Sequence, residues 1–477
     1  MQQRIVSEHI FLFPFAWSIS TQKQGYYFRP QYQIKHKIFQ NIKGWESEEF
    51  KIETDEQYNE FVYFYRPVRN ALYSDSEYEN ISNNYNLIDV GSDSNCVIDI
   101  KGKSYTLNIK RIGLKIVKSG IGILSFYLQN TTYLEQEDVH NINMFTDCVY
   151  PLELPLNDRE SRIYPTKIRF ELNSSIIEED ILQTEYKKIA GKISPFIMSI
   201  LGDSFSQDSA KHRRILVEPL IGSKMFCICL YKDDQAFSQV QMSKKYNFKK
   251  EYTLIEDEQC YFLSPFVLFS ISKTNTSSRV YDQMMSLLVI QKASLLNFSN
   301  QIATISLLSK EELVVAIQSI YEIYIQFINQ MFFDEITEDE KGTWIYQRNS
   351  KLFHIRDEIA QLDFEMKEVH EYAELITRQQ SNRRMEAVTI MGAGLVLPTF
   401  VTGFFGMNVL TEELGRWWEH ADVLKWLNTY VIFPILALLY MYTWKRTKNR
   451  IFIFIRIGMT IALVVSCLII VKYGSGV

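Results

Sequence analysis

The first 275 residues are dominated by short stretches in which apolar and polar positions alternate. The longest, CVIDIKGKSYTLNIKRIGLKIVKSGIGILSFYLQN at 96–130, is punctuated by Gly and Lys-Ser-Gly and predicts a hairpin or meander. RILVEPL, KMFCICLYK and YFLSPFVLFSIS are further strand candidates, and abundant Tyr and Phe suit a pleated, half-buried surface. Around 176–202, Ile, Leu and Tyr recur at helical intervals, which predicts short helices there.

From about residue 278 the period changes, and no proline occurs between Pro265 and Pro398. YDQMMSLLVIQKASLLNFSNQIATISLL has the spacing of an amphipathic helix, and Ser309-Lys310-Glu311-Glu312 reads as a capping box opening a second one. A third stretch runs from Ser350 up to Gly392 with neither Gly nor Pro before that point. Within it Leu352, Ile355, Ile359, Leu362, Met366, Val369, Ala373 and Ile376 alternate three and four apart. That is a heptad seam. It fits either a helix packed inside one protomer or a stalk packed against copies of itself. A continuous helix from Ser350 to Phe405 would be about 80 Å long.

Ala387 to Phe405 is nineteen residues without a charge, about the length that crosses a hydrocarbon layer. Tyr430–Trp444, led in by Val423, Leu424, Trp426 and Leu427, and Ile451–Val471, broken only by Arg456, are two more apolar stretches. Arg456 lies near one end, where it can snorkel to the headgroups. Arg378, Arg383 and Arg384 precede the first stretch, and Lys445, Arg446, Lys448 and Arg450 separate the second from the third. The excess of positive charge on those flanks predicts a cytoplasmic N-terminal part and an outside loop at 406–426. A third span would leave the C-terminus outside; a segment lying along the interface would leave it inside. The expected domains are a β-rich cytoplasmic regulatory domain at 1–275, a helical hairpin at 276–345, a stalk at 346–386 and a transmembrane domain at 387–477, with spans at about 387–405, 427–444 and 451–471.

The net charge of −5 gives no bulk basic character, which argues against direct nucleic-acid binding. Cys96, Cys148, Cys227, Cys229, Cys260 and Cys467 form no CxxC pair and read as buried thiols in a reducing compartment. The N-terminal MQQRIVSEHIFLFPFAW is not expected to be a signal peptide, because Glu8 and His9 interrupt a short apolar run. No P-loop, HExxH or GxSxG occurs, and the histidines are dispersed. Neither a catalytic set nor a fixed metal site is therefore expected, and the chain does not read as an enzyme.

The first apolar run ends in LPTFVTGFFGMN, residues 397–408. With Thr399, Phe400 and Gly403 leading into Gly406-Met407-Asn408, before a short acidic loop and another span, this closely resembles the signature of the CorA superfamily of divalent-cation channels. The resemblance covers about 280–450. The proline falls one position later than in the family's usual pattern, and a third apolar segment follows where the family normally stops. The resemblance implies an α+β cytoplasmic domain followed by an all-α helical hairpin, a long stalk helix and transmembrane helices, assembled as a homopentamer. It implies Mg2+ or another divalent cation as the permeant ion, with Gly406, Met407 and Asn408 at the pore mouth. A ring of Asn carboxamides offers neutral oxygens to a cation that sheds its water reluctantly. Along the same helical face lie Thr399, Val396, Gly392 and Asn382 as pore-lining candidates, with Met385 and Val388 as an apolar gate. Glu371 and Glu374 lie further in.

Two features leave room for a different controlling signal. The N-terminal domain is unlike the family's common one, and Lys211, Arg213 and Arg214 form a basic cluster suited to an anionic ligand. The unusual N-terminal domain together with the third apolar segment is similar to the divergent CorA-like proteins of type III CRISPR systems, thought to be antiviral membrane effectors opened by a nucleotide second messenger. A membrane-anchored scaffold with a vestigial pore is the remaining alternative.

Overall fold

The computed structural model describes residues 5–19, 37–73, 81–147, 165–181, 183, 192–208, 214–220, 225–232, 252–255, 259–273, 278–406, 428–433, 435–437, 440 and 450–474. They fall into two compact units, Met1–Glu371 and Tyr372–Val477.

The first unit is built on a fourteen-stranded mixed sheet. Its centre is β1 (Ser7–Ile19), SEHIFLFPFAWSI, an almost continuous apolar run buried along most of its length. A strand covered on both faces requires such a run, which is why it carries no clean alternation. Pro14 has no N–H to donate, and it sits where β1 changes partner on one side, between Leu12↔Phe226 and Phe15↔Pro219.

The remaining strands are β2 (Trp45–Glu48), β3 (Ser82–Leu87), β4 (Asn95–Ile100), β5 (Lys103–Val117), β6 (Ile121–Asn130), β7 (Lys167–Glu171) and β8 (Ile176–Asp180). After them come β9 (Phe205–Ser206), β10 (Ile215–Pro219), β11 (Phe226–Lys232), β12 (Thr253–Ile255), β13 (Gln259–Leu263) and β14 (Val267–Ser272). The main path runs β12-β13-β14-β11-β1-β6-β5-β4-β7-β8, with β3 pairing β5 and β10 pairing β1. The alternation at 96–130 is the antiparallel meander β4-β5-β6. Residues 176–180, expected to be helical, instead pair with β7; β-branched Ile176 and Ile177 and a Lys167–Glu178 ion pair across the ladder favour the strand.

Short helices close the sheet: α1 (Lys37–Gln40), α2 (Asp55–Tyr63), α3 (Arg66–Leu72), α4 (Gln136–Asn143) and α5 (Pro195–Leu201). The core gathers around Phe126, whose ring meets Phe145 at 5.8 Å and Phe170 at 5.5 Å, both nearly perpendicular. Phe11 and Phe196 extend the cluster, edge to face on Phe145 and Phe170. Cys227 and Cys229 on β11, with Cys96 and Cys260, are buried free thiols, as expected. Cys467 departs from that expectation: it is exposed within the single chain, on a helix whose apolar surface the chain itself does not cover. Cys148 lies outside the described residues.

His9, fully buried on β1, is held at both ring nitrogens. Nδ1 donates to Asn143 Oδ1 at 2.7 Å, and Nε2 accepts from Ser7 Oγ at 2.9 Å. Burial pushes its pKa from the ordinary 6.5 down to about 4, against the opposing effect of Asn143. The unfolded chain therefore takes up this proton first as the pH falls. Stability should be fully present above pH 6.5 and decline towards pH 4, by about 3 kcal/mol once the pH is below both values. Urea midpoints measured across this range should show the decline, and His9→Asn should flatten it. An equally steep decline in the variant would place the acid sensitivity elsewhere.

Three helices follow within the same unit: α6 (Ser278–Ile305), α7 (Lys310–Met331) and α8 (Glu340–Leu352). α6 packs on β1, β6 and β11 and is buried on several sides. Gln291 on α6 joins the other two, donating to Met331 O at 2.7 Å and to the Tyr346 hydroxyl at 3.1 Å. The expected capping box at Ser309 does not form. Ser309 is the N-cap, but its hydroxyl donates to Glu312 Oε2 at 2.7 Å and makes no cap bond to the backbone.

α9 (Ile355–Gly406) is a 52-residue helix that starts later than the sequence suggested. Phe353 and His354 form a turn after α8, with His354 at φ 55°. In the first unit the seam residues Ile355, Leu362 and Met366 are buried, at 0%, 3% and 1% exposure within the single chain. Ion pairing of Lys292 with Glu358 and a hydrogen bond from Tyr324 to Asp363 accompany that packing. Here the intramolecular reading of the seam holds.

The second unit contains the rest of α9, a short π-helical turn at Asn428–Ile432, and α10 (Arg450–Gly474). Among the described residues, no helix is long and apolar enough to cross a membrane. The apolar runs 387–405 and 451–471 each include positions whose side chains are not described, and within 427–444 residues 427, 434, 438–439 and 441–444 lie outside the described residues.

Candidate functional site

The terminal part of α9 carries most of the residues singled out for a pore. Met385, Val388 and Val396 are 64%, 67% and 67% exposed, and Asn382, Gly392 and Gly403 are also exposed. Nothing lies within 4 Å of where a Cβ would stand at Gly392 or Gly403. Spacings of three and four residues place these positions on one face. Thr399 Oγ1 donates to Leu395 O at 2.7 Å. An exposed apolar face on a bare helix is the arrangement a symmetric assembly would cover. Gly406 is the last residue of α9, whereas Met407 and Asn408 lie outside the described residues.

Glu371 and Glu374 are exposed, and Glu374 pairs with Arg378 at 3.0 Å, one turn along the same helix. They form a solvated face. Of the basic cluster, Arg214 is half-buried just before β10, while Lys211 and Arg213 lie outside the described residues.

A second polar centre lies in the first unit, where β3, β5 and β6 face α6. Arg111 on β5 donates to Glu48 at 3.1 Å, stacks over Tyr127 with its guanidinium carbon 4.1 Å from the ring centre, and approaches Asp282 at 3.7 Å. The Tyr127 hydroxyl donates to Asp282 Oδ2 at 2.7 Å. Burial raises the Asp282 carboxyl above the ordinary carboxylate range, opposed first by Arg111. For Arg111 burial works against the charge, but Tyr127, Glu48 and Asp282 outweigh it. Arg279 on α6 is similarly paired with Glu60 of α2. The network therefore couples the sheet to the first long helix through charges that are matched before any ligand arrives.

Sequence reasoning missed this centre because its members come from separate segments. The one local signal was the repeated Lys and Arg of LNIKRIGLKIV, which breaks the apolar alternation of β5. Among the described residues no group of His, Cys, Asp and Glu is arranged to hold a metal.

Residues 301–442 match the family model described as CorA-like Mg2+ transporter protein. Over this part the chain is similar to the CorA family. The CorA-like segment begins in the last turns of α6, includes α7, α8 and α9, and ends before α10. The large sheet and the C-terminal apolar helix are outside it. No curated protein and no solved structure matches the chain.

Proposed function

We propose that this chain is the subunit of a CorA-like membrane channel for divalent cations of the Mg2+ type, gated through its N-terminal domain. The family match over 301–442, with the sequence Gly406-Met407-Asn408 beginning at the last residue of α9, carries this reading. The exposed face of α9 supports it, because Met385 and Val388 would narrow a pore whose outer part offers Thr399 and Asn408 oxygens. A homopentamer, as the family resemblance implies, would cover that face.

The membrane topology draws on one further contact. Asn428 and Ser466 are both buried; Asn428 Nδ2 donates to Ser466 O at 2.9 Å, and Ser466 Oγ donates to Asn428 Oδ1 at 2.7 Å. Asn428 lies 16 residues before Trp444, and Ser466 lies 16 residues after Arg450. Were the residues on either side of the basic sequence 445–449 to form two antiparallel helices, these two positions would be level, about 24 Å along each helix. This favours a third span, with the C-terminus on the outside, over a segment lying in the interface.

Ion flux through the purified chain in liposomes tests the proposal. Mg2+-dependent flux, suppressed when Mg2+ is raised on the side of the N-terminal domain, is the expected result. A membrane that stays silent to divalent cations under every condition would sink it. The polar centre between sheet and α6 favours a second reading, a ligand-gated effector of the type III CRISPR kind using the same pore. That reading expects silence until a nucleotide is added.

A further inference from the structure

The polar centre borders a cavity of about 410 Å3, enclosed by β1, β3, β5 and β6 on one side and the start of α6 on the other. That is within the size range of small-molecule sites. Most of its charges are already matched, which makes the exceptions informative. Lys115 on β5 points its ammonium at Gln283 Oε1, 3.2 Å away, and among the described residues it forms no ion pair. On the same wall, on the neighbouring strand β3, Asn84 Oδ1 and Asn86 Oδ1 stand in register with Lys115 and Gly113; both oxygens are buried, and among the described residues neither has a hydrogen-bond partner. Buried polar groups are nearly always satisfied, and a cation hydrogen-bonded only to a neutral amide oxygen is costly to bury. Phe50 and Tyr73, with ring centres 4.0 Å apart, supply an apolar wall.

We infer that this cavity is a binding site for a small organic oxyanion, a phosphate or carboxylate of metabolite size whose charged oxygens meet Lys115 and whose N–H or O–H donors meet Asn84 and Asn86. The site completes an interaction set that the protein leaves open. A ligand there touches β3 and β5 on one wall and Arg279, Asp282 and Gln283 of α6 on the other. Its occupancy therefore bears on the helix in which the CorA-like segment begins. The regulatory consequence rests on the channel reading above; the binding itself does not.

Binding is measured by calorimetry and thermal shift on the purified full chain. The probes are inorganic phosphate, pyrophosphate, adenosine 5′-monophosphate and adenosine 5′-diphosphate, with L-glutamate and citrate as the carboxylate arm. At least one probe should bind saturably, and the arm that binds identifies the source of the oxyanion. Lys115→Met should weaken that binding by about 10- to 100-fold, the worth of hydrogen bonds to a charged group. Gln283→Glu places a carboxylate against Lys115; it should weaken binding as strongly while keeping or raising the unfolding temperature of the free protein. Retained folding in Q283E separates loss of the site from loss of the fold. No saturable binding by any probe, or binding unchanged in both variants, overturns the inference. Flux in the same preparations separates the two proposals: binding without flux leaves this site standing and the channel reading fallen.

Discussion

Asn408→Ala is expected to reduce Mg2+ flux in liposomes by on the order of 50-fold or more, with the protein still folded and inserted. A hydrated Mg2+ ion keeps its water shell, so a pore mouth selects it by hydrogen-bonding that shell with neutral oxygens. One net hydrogen bond contributes about 0.5–1.5 kcal/mol. Even at the low end, a ring of five carboxamides would lose about 2.5 kcal/mol together, because one substitution removes every copy at once. Alanine keeps the backbone and takes away the oxygen. Flux and competition by other cations should therefore change together. Unchanged flux and selectivity would remove Asn408 from the pore mouth and favour a vestigial pore in a membrane-anchored scaffold.

Phe126→Ala should destabilise the sheet domain by about 3–5 kcal/mol, the range for deleting a buried aromatic side chain from a core. The ring is at 0% exposure and is flanked by Phe145, Phe170 and Phe196. Those three come from the segment after α4, from β7 and from α5, so a cavity here loosens contacts that tie the sheet to α5 and to the segment after α4. Neighbouring rings cannot collapse into it without abandoning their own edge-to-face partners. Chemical denaturation of the full chain, followed by fluorescence, should show the first transition moving to lower denaturant. Leu307→Ala, at a position 85% exposed, serves as the control and should shift it by less than about 0.5 kcal/mol. Comparable shifts in the two variants would show that the aromatic cluster does not hold the domain.

The contrast between two helix starts shows how far local sequence reaches. Ser309 and Glu312 have the right spacing for a capping box, yet they satisfy each other, hydroxyl to carboxylate. Thr54 and Gln57 form the box instead: Thr54 Oγ1 accepts from Gln57 N, and Gln57 Oε1 accepts from Thr54 N. Spacing makes such bonds possible, but side-chain rotamers choose among them. β1 is a second case. Its apolar run from Ile10 to Trp17 predicts no strand by alternation, because a strand buried on both faces has no period to read.

Sequence alone determined the elements whose residues lie close together along the chain: the β4-β5-β6 meander, the long helices after residue 278, the seam of α9, and the contiguous Gly406-Met407-Asn408 motif by which the sequence resembles the CorA family. Each is a local period or a contiguous motif, and such patterns survive without knowledge of the fold. Tertiary structure decided what depends on distant segments meeting. It buried the start of the seam within the chain, joined Asn428 to Ser466, and set Lys115 of β5 opposite Asn84 and Asn86 of β3, with Gln283 of α6 as its hydrogen-bond partner. A charge becomes costly only when its surroundings exclude water, and which charges are so placed is fixed by packing rather than by the order of residues.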